Sequence, residues 1–111
     1  MVAQKADLVA DKGSRFTLAL HYTNPDGTDV DLTGQSASFM ILTRNDEPDV
    51  LATVTADTLG SDGWITFRAT GSVTELWPRG TWAHRVSLYT DPDDPDFLLI
   101  GPVTVRSASD A

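Results

Sequence analysis

The chain of 111 residues contains no cysteine. That excludes a disulfide framework, a thiolate zinc site and a cysteine nucleophile, and it leaves oxidising and reducing compartments equally open. Cations are scarce as well: Lys and Arg total 8 against 16 Asp and Glu, a formal net charge of −8 at pH 7. Capture of phosphates supplies most non-specific affinity for nucleic acid and needs the opposite sign, so no nucleic-acid partner is expected. An anionic membrane surface is disfavoured for the same reason. No window approaches the roughly 18 apolar residues of a membrane span, and residues 1–10 lack the apolar stretch of a secretion signal. The chain is therefore expected to be soluble and unprocessed. Domains commonly run about 100–150 residues, so one acidic domain with an ordinary core is expected and no second domain fits.

Helical periodicity is nearly absent, and in its place stands period-two alternation broken by Gly, Pro, Asn and Asp. Phe16, Leu18, Leu20 and Tyr22 alternate with Thr17, Ala19, His21 and Thr23, the pattern of a half-buried strand. Residues 24–28, Asn-Pro-Asp-Gly-Thr, then supply turn chemistry. Residues 35–44 carry Ala37, Phe39 and Ile41 on one parity and Met40 and Leu42 on the other, so the far end of this strand needs cover on both faces. Residues 50–56 and 64–69 read as two shorter strands paired as neighbours. Ser72 followed by Glu75 is a capping-box pattern, and it predicts a short helix near residues 72–77 ended by Pro78-Arg79-Gly80. Residues 81–90 and 97–106 read as a hairpin across the Asp-rich tip between them. With a short strand at Leu8 and Val9, about seven segments result, the number of an immunoglobulin-like sandwich. The expected organisation is an N-terminal arm over residues 1–12, an all-β sandwich over 13–106 and a loose tail over 107–111.

Several of these segments resemble a known family as an ordered set. Gly13 precedes Phe16-Thr17-Leu18; Asp26-Gly27-Thr28, Asp31-Leu32-Thr33-Gly34 and the run 37–41 follow. Then come Gly63-Trp64-Ile65-Thr66-Phe67, the short helix before Pro78-Arg79-Gly80-Thr81-Trp82, the run 86–91, and Gly101-Pro102-Val103-Thr104-Val105. Between Leu8 and Arg106 this order is similar to the immunoglobulin-like domain of tailed-phage virion proteins, such as the N-terminal domain of siphophage baseplate upper proteins and related small tail proteins. The resemblance implies a structural assembly module of the tail, baseplate or head–tail connector. It would have no catalysis and no cofactor, would contact copies of itself and other virion proteins, and would reside in the virion after assembly in the host cytoplasm. Ile100 departs from the charged residue expected on the outer face of the last strand, and it suggests an added apolar contact surface. No receptor-binding or fibre domain follows Arg106, which points to a ring, connector or decoration subunit. Capsid decoration is the nearest variant.

Candidate chemistry is sparse. His21 and His84 are the only histidines, and neither sits in a nucleophile or metal motif. His84 shares parity with Trp82, Val86 and Leu88, the position of a core histidine, whereas His21 falls on the outward parity. Asp91, Asp93, Asp94 and Asp96 offer the oxygen ligands that Ca²⁺ takes, but two prolines stiffen the loop and the EF-hand order is missing. A weaker calcium set is Asn24, Asp26, Asp29 and Asp31. Trp64, Trp77 and Trp82 read as core, with Trp77 plugging the sandwich end; exposed together they would instead form a platform for sugar rings. A carbohydrate- or calcium-dependent adhesion module is thus the alternative class, and no small-molecule ligand is otherwise expected. The expected contact surface comprises Met40, Leu42, Leu98 and Ile100 on the outward parity, with Val2, Leu8 and Val9 of the arm adding to a neighbouring subunit as a strand.

Overall fold

The computed structural model describes residues 4–43, 49–91 and 93–107. Two β-sheets pack face to face into an all-β sandwich. Along the chain the elements are β1 (Gln4–Lys5), β2 (Leu8–Asp11), β3 (Phe16–His21), β4 (Ser36–Leu42), β5 (Val50–Thr55), β6 (Trp64–Ala69), α1 (Gly71–Thr74), β7 (Gly80–Tyr89) and β8 (Asp96–Arg106). The larger sheet has six strands in the order β1-β8-β7-β4-β5, with β2 also paired to β8, and the smaller one holds only β3 and β6. In an immunoglobulin-like sandwich the second and fifth strands share one sheet while the third, sixth and seventh share the other. Here β3 pairs with β6, and β4, β7 and β8 lie side by side, which matches that division.

The alternation expected of β3 explains its role directly. Phe16, Leu18 and Leu20 face the core, while Thr17, Ala19 and His21 are exposed. From the larger sheet Ala37, Phe39, Ile41, Val86, Leu88, Leu99, Val103 and Val105 meet them from the other side. Phe39 sits at the centre with no exposed surface, its ring 5.5 Å from Phe16, 6.1 Å from Phe67 and 5.8 Å from the His84 imidazole. Truncating such a ring to alanine costs about 3–5 kcal/mol, because the rigid surroundings do not collapse into the space.

The hairpin expected between the last two strands is present: β7 and β8 pair antiparallel from Gly80↔Val105 to Leu88↔Asp96. Three other expectations are corrected. The strands β5 and β6 are not neighbours; β5 pairs with β4 and β6 with β3, in opposite sheets. The chain between them crosses from one sheet to the other, with Asp57 donating its amide to the Thr66 carbonyl and Leu59 buried beneath. The helix is shorter than expected and starts earlier, with Thr70 at its N-cap and no side-chain cap, so the Ser72 and Glu75 capping box does not form. Thr74 decides this instead. Its buried hydroxyl donates to the Ser14 carbonyl at 2.8 Å and accepts the Gly13 amide at 3.1 Å, tying the turn to the start of β3. Lys12 then donates its ammonium to the carbonyls of Glu75 and Trp77, at the negative end of the turn.

The third correction concerns the N-terminal arm. Residues 4–5 and 8–11 are not an arm for a neighbour but two strands of the chain's own larger sheet, parallel to β8 with Gln4 opposite Leu99 and Leu8 opposite Val103. Arg106 donates to the Asp11 carboxylate at 2.7 Å and pins the end of β2. Between the two short strands Ala6 donates its amide to the Ile100 carbonyl. The chain passes so close to Gly101, whose φ is +144°, that a β-carbon there would lie 2.2 Å from the Ala6 carbonyl oxygen. Only glycine fits at that position.

Candidate functional site: an open sheet face and a tryptophan cleft

The inner face of the larger sheet is covered by β3 and β6. Its outer face has no second layer among the described residues. Strand register fixes which residues lie there, because directly opposite residues share a face. One row runs Lys5, Ile100, Arg85, Met40, Thr53; the next runs Pro102, Ala83, Leu42, Val50; a third runs Phe97, Ser87, Ser38, Thr55. Apolar Ile100, Met40, Pro102, Ala83, Leu42, Val50 and Phe97 share this face with Lys5, Arg85, Ser87, Ser38, Thr53 and Thr55. Phe97 is 40% and Val50 56% exposed, and Met40 and Ile100 are half-buried. The Arg85 guanidinium lies 4.6 Å from the Phe97 ring centroid, a cation–π contact that covers part of the face. Tyr89 and Ser38 share a hydrogen bond of 3.0 Å at its edge. Beneath them the Ser87 hydroxyl is buried without a partner among the described residues.

Three of the expected contact residues change places in this picture. Leu42 is 1% exposed, so it supports the surface without forming it. Leu98 does not point outward. The β7–β8 register shifts between Val86 and Ser87, Val86 opposing Leu99 and Ser87 opposing Phe97, so Leu98 is the extra residue of a bulge and packs on the core. The same bulge turns Phe97 outward. Leu8 also packs inward, opposite Val103, whereas Val9 is exposed opposite Thr104. Val2 lies outside the described residues.

The second feature is a cleft of about 440 Å³ where the two sheets part, lined by Gln4, Leu20, His21, Tyr22, Trp64 and Leu98. Trp64, expected in the core, is 47% exposed here. The sequence places it there through a turn: the Asp62 carboxylate accepts the Trp64 amide at 3.2 Å, and Gly63 adopts a φ of +76°. The polypeptide then enters β6 with Trp64 directly opposite His21. Their rings stack at 4.5 Å, nearly parallel, and His21 Nε2 lies 2.7 Å from the Asp29 carboxylate. This assembly can stack against a flat group and hydrogen-bond its rim. Trp77 is buried as expected, edge-on to Phe16. Trp82 is partly buried and donates its indole N–H to the Pro78 carbonyl at 2.8 Å.

The Asp-rich tip is not gathered into a cluster. Asp91 accepts the Asp93 amide at 3.0 Å in a local turn, and Asp96 already belongs to β8. Among the described residues no three carboxylates or imidazoles converge as they would around a metal ion. In the other loop Asp26 and Asp31 each close a turn. The hydroxyl and then the amide of Thr28 hold the Asp26 carboxyl below its ordinary pKa, and Thr33 does the same for Asp31.

No family model matches the chain, and no curated protein matches it in sequence.

Proposed function

We propose that the protein is a structural subunit of a tailed-phage virion, an assembly module of the tail, baseplate or head–tail connector that works through subunit contacts and without catalysis. The observation that carries this reading is the outer face of the six-stranded sheet, which no second layer covers among the described residues, with Met40, Val50, Phe97 and Ile100 at its surface. The order of sequence segments shared with phage immunoglobulin-like domains supports it. Burial of such a face against a second subunit is driven by the apolar area removed from water, with the exposed Lys5, Thr53 and Thr55 as a polar rim. Ile100→Asp is expected to abolish association while leaving the monomer folded, because Ile100 lies on the outer face and not in the core cluster. Light scattering after size-exclusion chromatography reads the first effect and thermal melting the second. Mixing the protein with phage heads and with phage tails, viewed by electron microscopy, separates a tail role from capsid decoration. Failure to bind either particle would sink the virion assignment.

A second reading rests on Trp64. An indole exposed beside a cleft with hydrogen-bonding neighbours suits a sugar ring, and it would make the domain a carbohydrate-binding module. Titration with a glycan panel should then quench tryptophan fluorescence in the wild type and not in Trp64→Ala. A flat response of the wild type across the panel removes this reading.

A further inference from the structure

We propose that the Trp64 cleft receives a guanidinium group, the side chain of an arginine presented by a neighbouring protein of the assembly. The proposal rests on the assembly reading for the nature of that neighbour and on the cleft alone for the chemistry.

The cleft is built from electron-rich rings and hydrogen-bond acceptors. His21 lies within 5° of parallel to the indole and covers part of it. Trp64 nevertheless stays 47% exposed, and Tyr22 lines the same cleft. The His21 ring is held by Asp29. A carboxylate only accepts, so Nε2 carries the imidazole proton in that 2.7 Å contact. In the neutral ring Nδ1 is then a bare acceptor, and it has no partner among the described residues. The Asp29 side chain is itself 48% exposed, so its carboxylate can accept from a ligand as well as from His21.

Charge selects among flat ligands. Among the described residues no Lys or Arg lines the cleft, and Lys5, next to Gln4, lies in the row with Ile100 on the outer face. Carboxylates surround it instead. The turn that delivers Trp64 adds Asp62, the segment that bears Asp29 also carries Asp26 and Asp31, and the whole chain has a net charge of −8.

A guanidinium is flat, cationic and donor-only, so it stacks on an indole while its N–H groups reach acceptors at the rim. It matches the cleft in all three respects. A lysine ammonium carries the charge without the plane. A neutral sugar lacks the charge, and its hydroxyls bring acceptors as well as donors. Free arginine fits less well than arginine in a polypeptide, because its α-carboxylate would meet an acidic cleft with no cation in the lining to receive it. The volume of about 440 Å³ accommodates one such side chain and its stem.

The test titrates a capped Gly-Arg-Gly peptide into the isotope-labelled full chain, followed by NMR at the Trp64 indole N–H. A saturable shift is expected, with weaker binding of capped Gly-Lys-Gly. Asp29→Asn should raise the dissociation constant roughly tenfold or more, as loss of a charge-assisted hydrogen bond requires. Trp64→Leu, read at the His21 amide, should abolish the response. Both positions are exposed, and thermal melting checks that each variant is folded. No saturable shift in the wild type, or equal affinity in Asp29→Asn, overturns the proposal. A response to methyl glucoside and none to the arginine peptide overturns it too, and gives the cleft to the carbohydrate reading. A protein that binds phage tails yet ignores the arginine peptide overturns the guanidinium site and leaves the assembly reading intact. One that takes the peptide but binds no phage particle upholds the site's chemistry and overturns the assembly reading.

Discussion

His84 should make the fold acid-sensitive in a window set by its own ring. The imidazole has no exposed surface, it packs against the Phe39 ring, and its Nδ1 lies 3.2 Å from the Pro102 carbonyl oxygen. A carbonyl only accepts, so Nδ1 carries the proton and Nε2 presents a bare lone pair, which has no partner among the described residues. Protonating Nε2 would place a cation in the core with nothing to receive the new N–H. Burial accordingly holds the His84 pKa below the ordinary histidine value of 6.5, against smaller opposing effects of the Pro102 and Gly101 carbonyls and the Asp7 charge. With the folded-state pKa depressed, the stabilisation is complete above about pH 6.5 and is lost as pH falls, since the unfolded chain takes up a proton that the folded one refuses. The loss approaches about 1.4 kcal/mol per pH unit once the unfolded imidazole is fully protonated, and it ends below the folded-state pKa. Urea unfolding of the wild type and of His84→Leu at intervals from pH 7.5 to 5.0 isolates this contribution as a difference, so other titrating groups cancel. The variant loses the hydrogen bond to the Pro102 carbonyl at neutral pH, and its pH dependence should be flatter. Parallel stability curves for the two proteins would refute the reasoning.

Two further substitutions test the ties that close the sandwich. Thr74→Val keeps the shape but leaves the Gly13 amide and the Ser14 carbonyl without the buried hydroxyl that joins them; a loss of about 1–3 kcal/mol is expected in denaturant melts, and an unchanged midpoint would contradict it. Gly101→Ala drives a β-carbon into the Ala6 carbonyl at a φ that L-residues rarely adopt, so β1 should detach from β8 while the β7–β8 pairing persists. Hydrogen exchange reads this as lost protection at Ala6, whose amide bonds to Ile100, with protection retained at Val86 and Val103.

The strand content, the β7–β8 hairpin, the inward Phe39 and Val86, the buried His84 and the outward His21 were all legible from alternation, because a period of two encodes which residues share a face. Alternation carries no information on which strands are partners. That is why β5 and β6, adjacent in sequence and joined by turn residues, were expected to pair and instead lie in opposite sheets. The arm was misread for a related reason: Leu8 and Val9 announce a short strand but not its partner, and Gln4 and Lys5, which are not apolar, form one only because β8 lies beside them. At the candidate site the sequence marked Met40 and Ile100 correctly as outward. It missed Phe97 and misplaced Leu98, since one bulge reverses parity without leaving any trace in residue type. Trp64 was read as core from its size, yet the turn at Asp62 and Gly63 delivers it to the cleft beside His21.

By itself, then, the sequence determined that this is an acidic, cysteine-free, all-β domain with its large apolar side chains in alternating register, because those properties follow from local composition and period. Tertiary structure alone decided which strands are partners, which residues share the outer face and which indole reaches solvent. Those outcomes depend on long-range pairing and register, and a single inserted residue moves them from one face of a sheet to the other.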